Sequence, residues 1–297
     1  MNCKICGRES ARLRKEITAD SGKRYDVYRC PACRLVFVDP MPSEQEIEQG
    51  GVYGEKYYDG IFNREKDYFS ETVMECERKV VEAQHNFIKG LLIGRDYLDI
   101  GCGDGKMLSL MRDKGWRGTG VEISRVSAEY GIKNRGADIK IGSIFSQELK
   151  DVFEDGSFDF ITLRHVIEHL VDPVKLVKTA AGLLKKGGII RIDTDNCEGL
   201  LNSFVMRGLI GGKNKNSLGK LLPPVHIYYF SPKNMRILLE SNGFEVIKMI
   251  CPPQGAVEYF PKPNKYAGSI NERIKQLIDD IGGLFNKGEV LVVYALK

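Results

Sequence analysis

Long apolar runs are missing from this 297-residue chain. None reaches the roughly 18 consecutive apolar residues that a membrane span requires. The opening residues, Met1-Asn2-Cys3-Lys4-Ile5-Cys6, carry no apolar core of a secretory signal, so the expectation is a cytoplasmic protein. A dominant charge of one sign is also missing. The 44 basic and 40 acidic residues leave +4, too small a surplus to mark a nucleic-acid binder. Nine Lys/Arg and five Asp/Glu stand in the first 40 residues, so the whole surplus is local and the remainder is balanced. Histidine is scarce, with only His85, His165, His169 and His226. What is present is 42% hydrophobic and 28% charged, a globular balance that can bury a core without disulfide staples.

The eight cysteines divide into two groups. Cys3, Cys6, Cys30 and Cys33 form two C-x-x-C pairs, while Cys76, Cys102, Cys197 and Cys251 stand singly. Two intervening residues let a tight turn aim both sulfurs at one ion, and Zn²⁺ prefers tetrahedral thiolate coordination. Gly7 suits the positive φ that often follows such a turn. Between the pairs, residues 24–29 alternate like a strand, and Leu35-Val36-Phe37-Val38 follows as another. The pattern is that of a zinc ribbon with a structural ion, since four thiolates leave no open position for catalysis. Unmetallated buried or redox-active thiols are the alternative.

The expected organisation is a ribbon over 1–40, a linker and N-terminal helical cap over 41–93, and a main domain over 94–297. In the cap, Phe69, Val73, Cys76, Val80, Ala83, Phe87 and Leu91 recur at helical spacing, predicting a helix over 64–93. From Tyr97 onward strand and helix signals alternate. Strands are predicted at 97–100, 118–123, 138–141, 158–163, 189–193, 244–250 and 290–296. Helices fall at 104–114, 125–135, 173–185 and from Ser231-Pro232 to Gly243. This is an α/β pattern: a mostly parallel sheet with helices on both faces. Residues 197–230 and 254–288 are insertions in it. The second carries an apolar stripe, Ile270, Ile274, Leu277, Ile278, Ile281, Leu284 and Phe285. That stripe suits packing on the protein's own sheet or on a second subunit in a homodimer, with membrane attachment as the other option.

The chemistry is expected around Leu98-Asp99-Ile100-Gly101-Cys102-Gly103-Asp104-Gly105. Glycines between a strand and a helix let backbone approach a ligand closely. The pattern is neither a dinucleotide fingerprint, which needs glycine where Lys106 stands, nor a phosphate P-loop. Glu122, at the end of the next strand, can accept both hydroxyl hydrogens of a ribose. Asp99 can meet an ammonium group. A ligand with an amino-acid end and a nucleoside end fits, which is S-adenosylmethionine. Ser143 and Ile144 offer a polar and an apolar contact for adenine.

With these motifs, with Val121-Glu122-Ile123-Ser124, with Phe158-Asp159 through Val166-Ile167-Glu168-His169-Leu170-Val171-Asp172-Pro173, with Leu183-Leu184-Lys185-Lys186-Gly187-Gly188 and with Leu239-Glu240-Ser241-Asn242-Gly243-Phe244, the chain resembles the class I S-adenosylmethionine-dependent methyltransferases. It looks most like the small-molecule branch that includes ubiquinone-biosynthesis O-methyltransferases, over about residues 90–250 and the final strand. The resemblance implies a seven-stranded Rossmann-like sheet. It implies that Asp99, Gly101, Gly103 and Gly105 line the methionine part of the cofactor, Glu122 the ribose, and Ile123, Ser143 and Ile144 the adenine. It places Arg164 and His165 beside the methyl group and the acceptor.

His165-Val166-Ile167-Glu168-His169 spells H-x-x-E-H, but its setting is not that of a zinc protease. The resembling O-methyltransferases hold a divalent metal in an E-x-x-E-H cluster, and here His165 replaces the first Glu. A hard cation such as Mg²⁺ prefers oxygen ligands. His165 or His226 is expected as the general base. The 197–230 insertion, apolar and then basic, is expected as a lid over the acceptor, as a membrane contact, or as a packing element. The expected partner is a small-molecule methyl acceptor. Two alternatives stay open: an RNA methyltransferase using the ribbon to bind, and a ribbon interaction protein with a degenerate cofactor domain.

Overall fold

The structure is a computed structural model and describes residues 1–18, 22–43, 46–47, 71–206, 225–253, 256 and 270–297. Three strands open the chain: β1 (Ala11–Thr18), β2 (Arg24–Arg29) and β3 (Val36–Asp39). They pair antiparallel in that order, and the four ribbon cysteines lie in the turns beside them. Strand β1 stands where the sequence predicts none, because its Arg/Lys-rich residues hide the alternation. Helix α1 (Glu71–Ile88) follows. It ends five residues before the predicted end at 93, because the chain turns after Ile88 toward Gly90 and Gly94, and residues 64–70 of the prediction lie outside the described set.

The main sheet then builds outward from its centre. The elements are β4 (Asp96–Ile100), α2 (Lys106–Arg112), β5 (Arg117–Glu122), α3 (Arg125–Arg135), β6 (Asp138–Ile141), α4 (Gln147–Lys150), β7 (Phe158–Arg164), α5 (Pro173–Leu183) and β8 (Leu184–Asp195). After them come α6 (Leu200–Met206), β9 (Tyr228–Tyr229), α7 (Pro232–Glu240), β10 (Glu245–Ile250), α8 (Ile270–Leu284) and β11 (Val290–Leu296). The seven strands stand in the order β10-β11-β8-β7-β4-β5-β6. The run from β8 to β6 is parallel, while β11 is antiparallel to both β8 and β10.

Local chemistry sets the boundaries. Ser124 caps α3 by accepting from Ser127 N–H, and Gly136 ends that helix at φ 57°. Asp172 caps α5 with Pro173 at its first position, and Ser231 and Asn234 form a reciprocal cap on α7. Strand β8 begins at Leu184, five residues before the predicted start at Ile189. Gly187 does not end α5 but sits inside the strand at φ 79°, where the β7–β8 register shifts.

Strand β4 is the switch point. The chain moves from it to β5 and β6 on one side, then returns to β7 and β8 on the other. In open α/β sheets that reversal leaves a crevice outside the carboxyl ends of the strands. The glycine turn leaves β4 there and His165 leaves β7 beside it.

Two features depart from expectation. The end of the 197–230 insertion supplies β9, which pairs with β3 and becomes the fourth strand of the ribbon sheet. Residues 207–224, where a lid is expected, lie outside the described set. In α8, the stripe residues Ile274, Leu277, Ile281 and Leu284 are exposed, while Asp279 and Gly282 face inward. Asp279 caps the chain instead of yielding to an apolar side chain, because Glu289 N–H donates to its carboxylate at 2.9 Å. One continuous core joins ribbon residues such as Tyr25, Val27 and Phe37 to sheet residues such as Leu98, Ile161 and Ile192. No helix among the described residues is long and apolar enough to cross a membrane.

Candidate active site

The turn after β4 is held open by glycines that differ in purpose. Gly101, Gly103 and Gly105 all have positive φ. A Cβ on Gly101 would stand 2.4 Å from Val166 Cγ2, and one on Gly105 would stand 2.8 Å from Ala137 Cβ. At Gly103 the nearest atom is Ser127 Oγ at 3.8 Å. Gly101 and Gly105 thus permit packing against neighbouring elements, and Gly103 faces the open side.

Two carboxylates flank this turn. Glu122, 3% exposed, accepts Gly103 N–H and Ser124 N–H at 2.8 Å each. It pins the turn to the end of β5. Burial raises its pKa, and the N–H groups of Ser124 and Gly103 pull it back. Asp99 is also buried and accepts a hydrogen bond from Thr162 Oγ1 on β7, its cross-strand partner. Burial pushes Asp99 up to about 6, although the Thr162 bond opposes the rise.

Sequence reasoning misses what holds Arg164. Its guanidinium stands 3.2 Å from Glu77 of α1 and 3.5 Å from Asp193 of β8. Asp193 accepts twice from Arg191, at 2.8 and 2.7 Å, and Arg191 donates to Gln84 of α1 at 2.7 Å. Helix α1 is therefore bolted to the sheet by a buried polar network. No sequence signal links Glu77 to Arg164, since they are 87 residues apart.

The remaining residues expected near adenine follow the ends of β5 and β6. Ile123 is exposed just after the end of β5. Ser143 Oγ accepts Phe145 N–H at 3.2 Å and shapes the next turn. Ile144 is buried and lines a cavity of about 680 Å³ with Leu149, Phe153, Val174 and Lys175.

On the β7 side three of the four histidines converge on Glu168. His165 Nδ1 lies 3.0 Å from Glu168 Oε1. Its backbone holds φ 54°, a left-handed value that is uncommon outside glycine. His165 N–H donates to Asp193 O at 2.8 Å, which fixes that turn. Glu168 is 1% exposed. Burial disfavours its charge, yet the His165 hydrogen bond and the nearby His165, His169 and His226 hold its pKa at about 2. Its Oε2 has no hydrogen-bond partner among the described residues.

His169 Nδ1–H donates to Val225 O at 2.7 Å, and its ring meets that of His226 edge-on at 4.7 Å. His226 Nδ1 stands 3.9 Å from Asp195. Burial and the neighbouring His169 push His226 down to about 4. Donor atoms of Glu168, His169 and His226 lie within 4.8 Å of one another. One carboxylate and two imidazoles fit a divalent transition-series ion better than Mg²⁺. Both expected bases therefore belong to a single cluster, far apart as they are in the chain. His85 lies outside it, accepting from Trp116 Nε1 at 3.2 Å.

In the ribbon, Cys3 Sγ and Cys33 Sγ are 3.5 Å apart, Cys6 Sγ and Cys30 Sγ 3.4 Å, and all four sulfurs lie within 4.8 Å. A thiolate tetrahedron with bonds of about 2.3 Å has edges of roughly 3.8 Å, so the four donors fit a zinc ion.

A seven-stranded sheet with this order, an open glycine turn at its switch point and an acid closing the next strand together define a class I S-adenosylmethionine-dependent methyltransferase. A methyltransferase-domain family model matches residues 82–249, more than half of the chain, and the chain belongs to that family. Ubiquinone biosynthesis O-methyltransferase of Paracidovorax citrulli (strain AAC00-1) is 27% identical over 200 residues, 65% of this chain and 79% of that protein. The protein of the same name from Bordetella avium (strain 197N) is 28% identical over 200 residues, 64% of this chain and 77% of its own length. Among solved structures, magnesium protoporphyrin IX methyltransferase from Synechocystis PCC 6803 shares the fold with a TM-score of 0.54 and 12% identity, covering 86% of this chain and all of that one.

Proposed function

We propose that the protein transfers the S-adenosylmethionine methyl group to a hydroxyl oxygen of a small molecule, with His165 as general base. The observation that carries this reading is the Glu168–His165 hydrogen bond beside the glycine turn. A carboxylate on Nδ1 fixes the imidazole's tautomer and leaves Nε2 as the acceptor. The acceptor hydroxyl gives its proton to His165 Nε2 as its oxygen attacks the sulfonium methyl carbon. The C–S bond breaks and S-adenosylhomocysteine leaves as a neutral thioether. Beyond this proton transfer, catalysis is in-line placement of acceptor and methyl.

In this reading Asp99 meets the cofactor's ammonium, Gly101, Gly103 and Gly105 shape its methionine pocket, Glu122 binds the ribose, and Ile123, Ser143 and Ile144 border the adenine. Arg164, held by Glu77 and Asp193, frames the methyl end. His226 lines the acceptor side, where burial depresses its pKa. The four cysteines hold a structural zinc. The resemblance to O-methyltransferases of ubiquinone biosynthesis favours an oxygen acceptor on a phenolic, sugar-like or lipid-like molecule. RNA is disfavoured because ribbon arginines Arg12, Arg24 and Arg34 face Asp26, Glu16 and Glu198.

Labelled methyl transfer into fractionated small molecules and into RNA tests the substrate class; label in RNA alone overturns the proposal. On the small-molecule acceptor, His165→Ala should lower turnover by about 10²- to 10⁴-fold. His226→Ala should cost less, on the order of tenfold, through acceptor placement. Full activity in His165→Ala removes the base assignment.

The pH dependence of cofactor binding follows from Asp99. Its pKa of about 6 lies above the ordinary carboxylate value, so the empty protein keeps that proton until near pH 6. Only the ionised form attracts the ammonium. S-Adenosylmethionine affinity should therefore rise about tenfold per pH unit up to about 6 and flatten above it. Calorimetry between pH 5 and 8 checks this, and a flat profile defeats the Asp99 assignment.

A further inference from the structure

The ribbon does more than precede the catalytic sheet. Its strand β3 is the template on which the segment carrying His226 is laid. Val36 pairs with Tyr229 and Phe37 with Tyr228. Val38 N–H donates to Ile227 O at 3.2 Å, and Ile227 N–H in turn donates to Glu168 O at 3.0 Å. Val225 O accepts from His169. Tyr229 O–H donates to His226 O at 2.8 Å, and Tyr228 O–H donates to Val171 O at 3.0 Å. Phe37 sits between Tyr28 and Tyr228, with ring centroids 5.7 and 6.4 Å away.

Residues 225–229 are thus clamped between β3 on one side and the Glu168–Val171 turn on the other. From Phe230 onward the chain is anchored differently, by a bridge to Asn196 and by Cys197 N–H donating to Phe230 O. Two residues of strand pairing have no stability of their own. They persist only while the template strand stays ordered. A ribbon of some 40 residues has too little core to fold without help, and a four-thiolate ion supplies folding energy outright.

We infer that the ribbon, through Val38 and Phe37, positions His226 and forms one wall of the acceptor pocket, so that loading of Cys3, Cys6, Cys30 and Cys33 with metal controls the acceptor side and leaves the cofactor side intact. Val38 and Phe37 are positioning residues, since they act through the 225–229 segment. This rests on the reading above that His226 lines the acceptor side. The cofactor turn is bound to different elements: Gly103 to Glu122, Gly101 to Val121 and Asp99 to Thr162.

The test uses the full chain in three altered states. One carries Cys3→Ser and Cys6→Ser, which removes the ribbon metal and leaves the Glu168, His169 and His226 donors in place. One carries Val38→Pro, which removes the donor to Ile227 and keeps all four cysteines. One carries Phe37→Ala, a milder change should the proline variant fail to fold. Amide exchange of residues 225–229, the nuclear Overhauser effect between the His169 and His226 rings, and S-adenosylhomocysteine affinity are measured in each. Exchange should speed up by on the order of tenfold or more and the ring–ring signal should vanish. Affinity for S-adenosylhomocysteine should stay within about twofold.

Unchanged exchange and an intact ring–ring signal after metal removal overturn the inference. So does a cofactor affinity that falls in step with them, because the ribbon would then support the whole fold and not the acceptor wall. None of these readouts depends on the acceptor's identity. A failed His226→Ala turnover test therefore strikes the functional reading alone.

Discussion

Replacing Glu122 with alanine should lower S-adenosylmethionine affinity by about 10²-fold, the largest effect of any single change on cofactor binding. Two contributions add. The first is the loss of the charge-assisted bonds that Glu122 makes to the ribose hydroxyls in the proposed reading, each worth about 1.5–3 kcal/mol. The second is local: Gly103 N–H and Ser124 N–H lose their shared acceptor, so the turn is no longer pinned to β5. Glu122→Gln separates the two. It keeps an acceptor oxygen for one N–H and should recover part of the thermal stability while binding stays weak. Calorimetry with thermal unfolding measures both quantities. Wild-type affinity in Glu122→Ala would remove the ribose assignment.

Asp193→Ala should be the most destabilising change in the core, at about 3–5 kcal/mol. Asp193 is 1% exposed and accepts twice from Arg191, which is itself fully buried. It also faces Arg164 at 3.5 Å. Its loss leaves two buried guanidiniums short of counter-charge, though Glu77 still faces Arg164 and Gln84 still accepts from Arg191. The effect is not the net worth of the pair, because removing both charges together is often neutral. The double variant Arg191→Met with Asp193→Leu should therefore be more stable than Asp193→Ala alone. Urea unfolding compares the three proteins. A loss under about 1 kcal/mol in Asp193→Ala would show that water or a relaxed backbone compensates the arginines.

Much of the candidate site is legible in the residues themselves. The glycine turn, Glu122 and Asp99 are read from positions a few residues apart or one strand apart, where a strand–turn–helix leaves little freedom. The C-x-x-C pairs are legible for the same reason. Both candidate bases also stand out, through the scarcity of histidine and the motif around Glu168. What stays hidden is of longer range. Glu77 looks like any acid on an amphipathic helix until α1 lies across β7 and β8. Strand β9 is two residues long, with no alternation to detect, and its partner lies near the other end of the chain. The inward Asp279 on α8 breaks a rule that periodicity must assume, that the apolar stripe faces the core.

The sequence by itself determined the glycine turn and its two flanking acids, because a turn built from backbone glycines and strand-end acids is written in local spacing. The tertiary structure alone decided that His226 joins the cluster around Glu168. His226 reaches Glu168 and His169 only because the ribbon's edge strand holds the 225–229 segment against the turn that follows β7. Such contacts depend on which strands become neighbours, and no short stretch of residues records that.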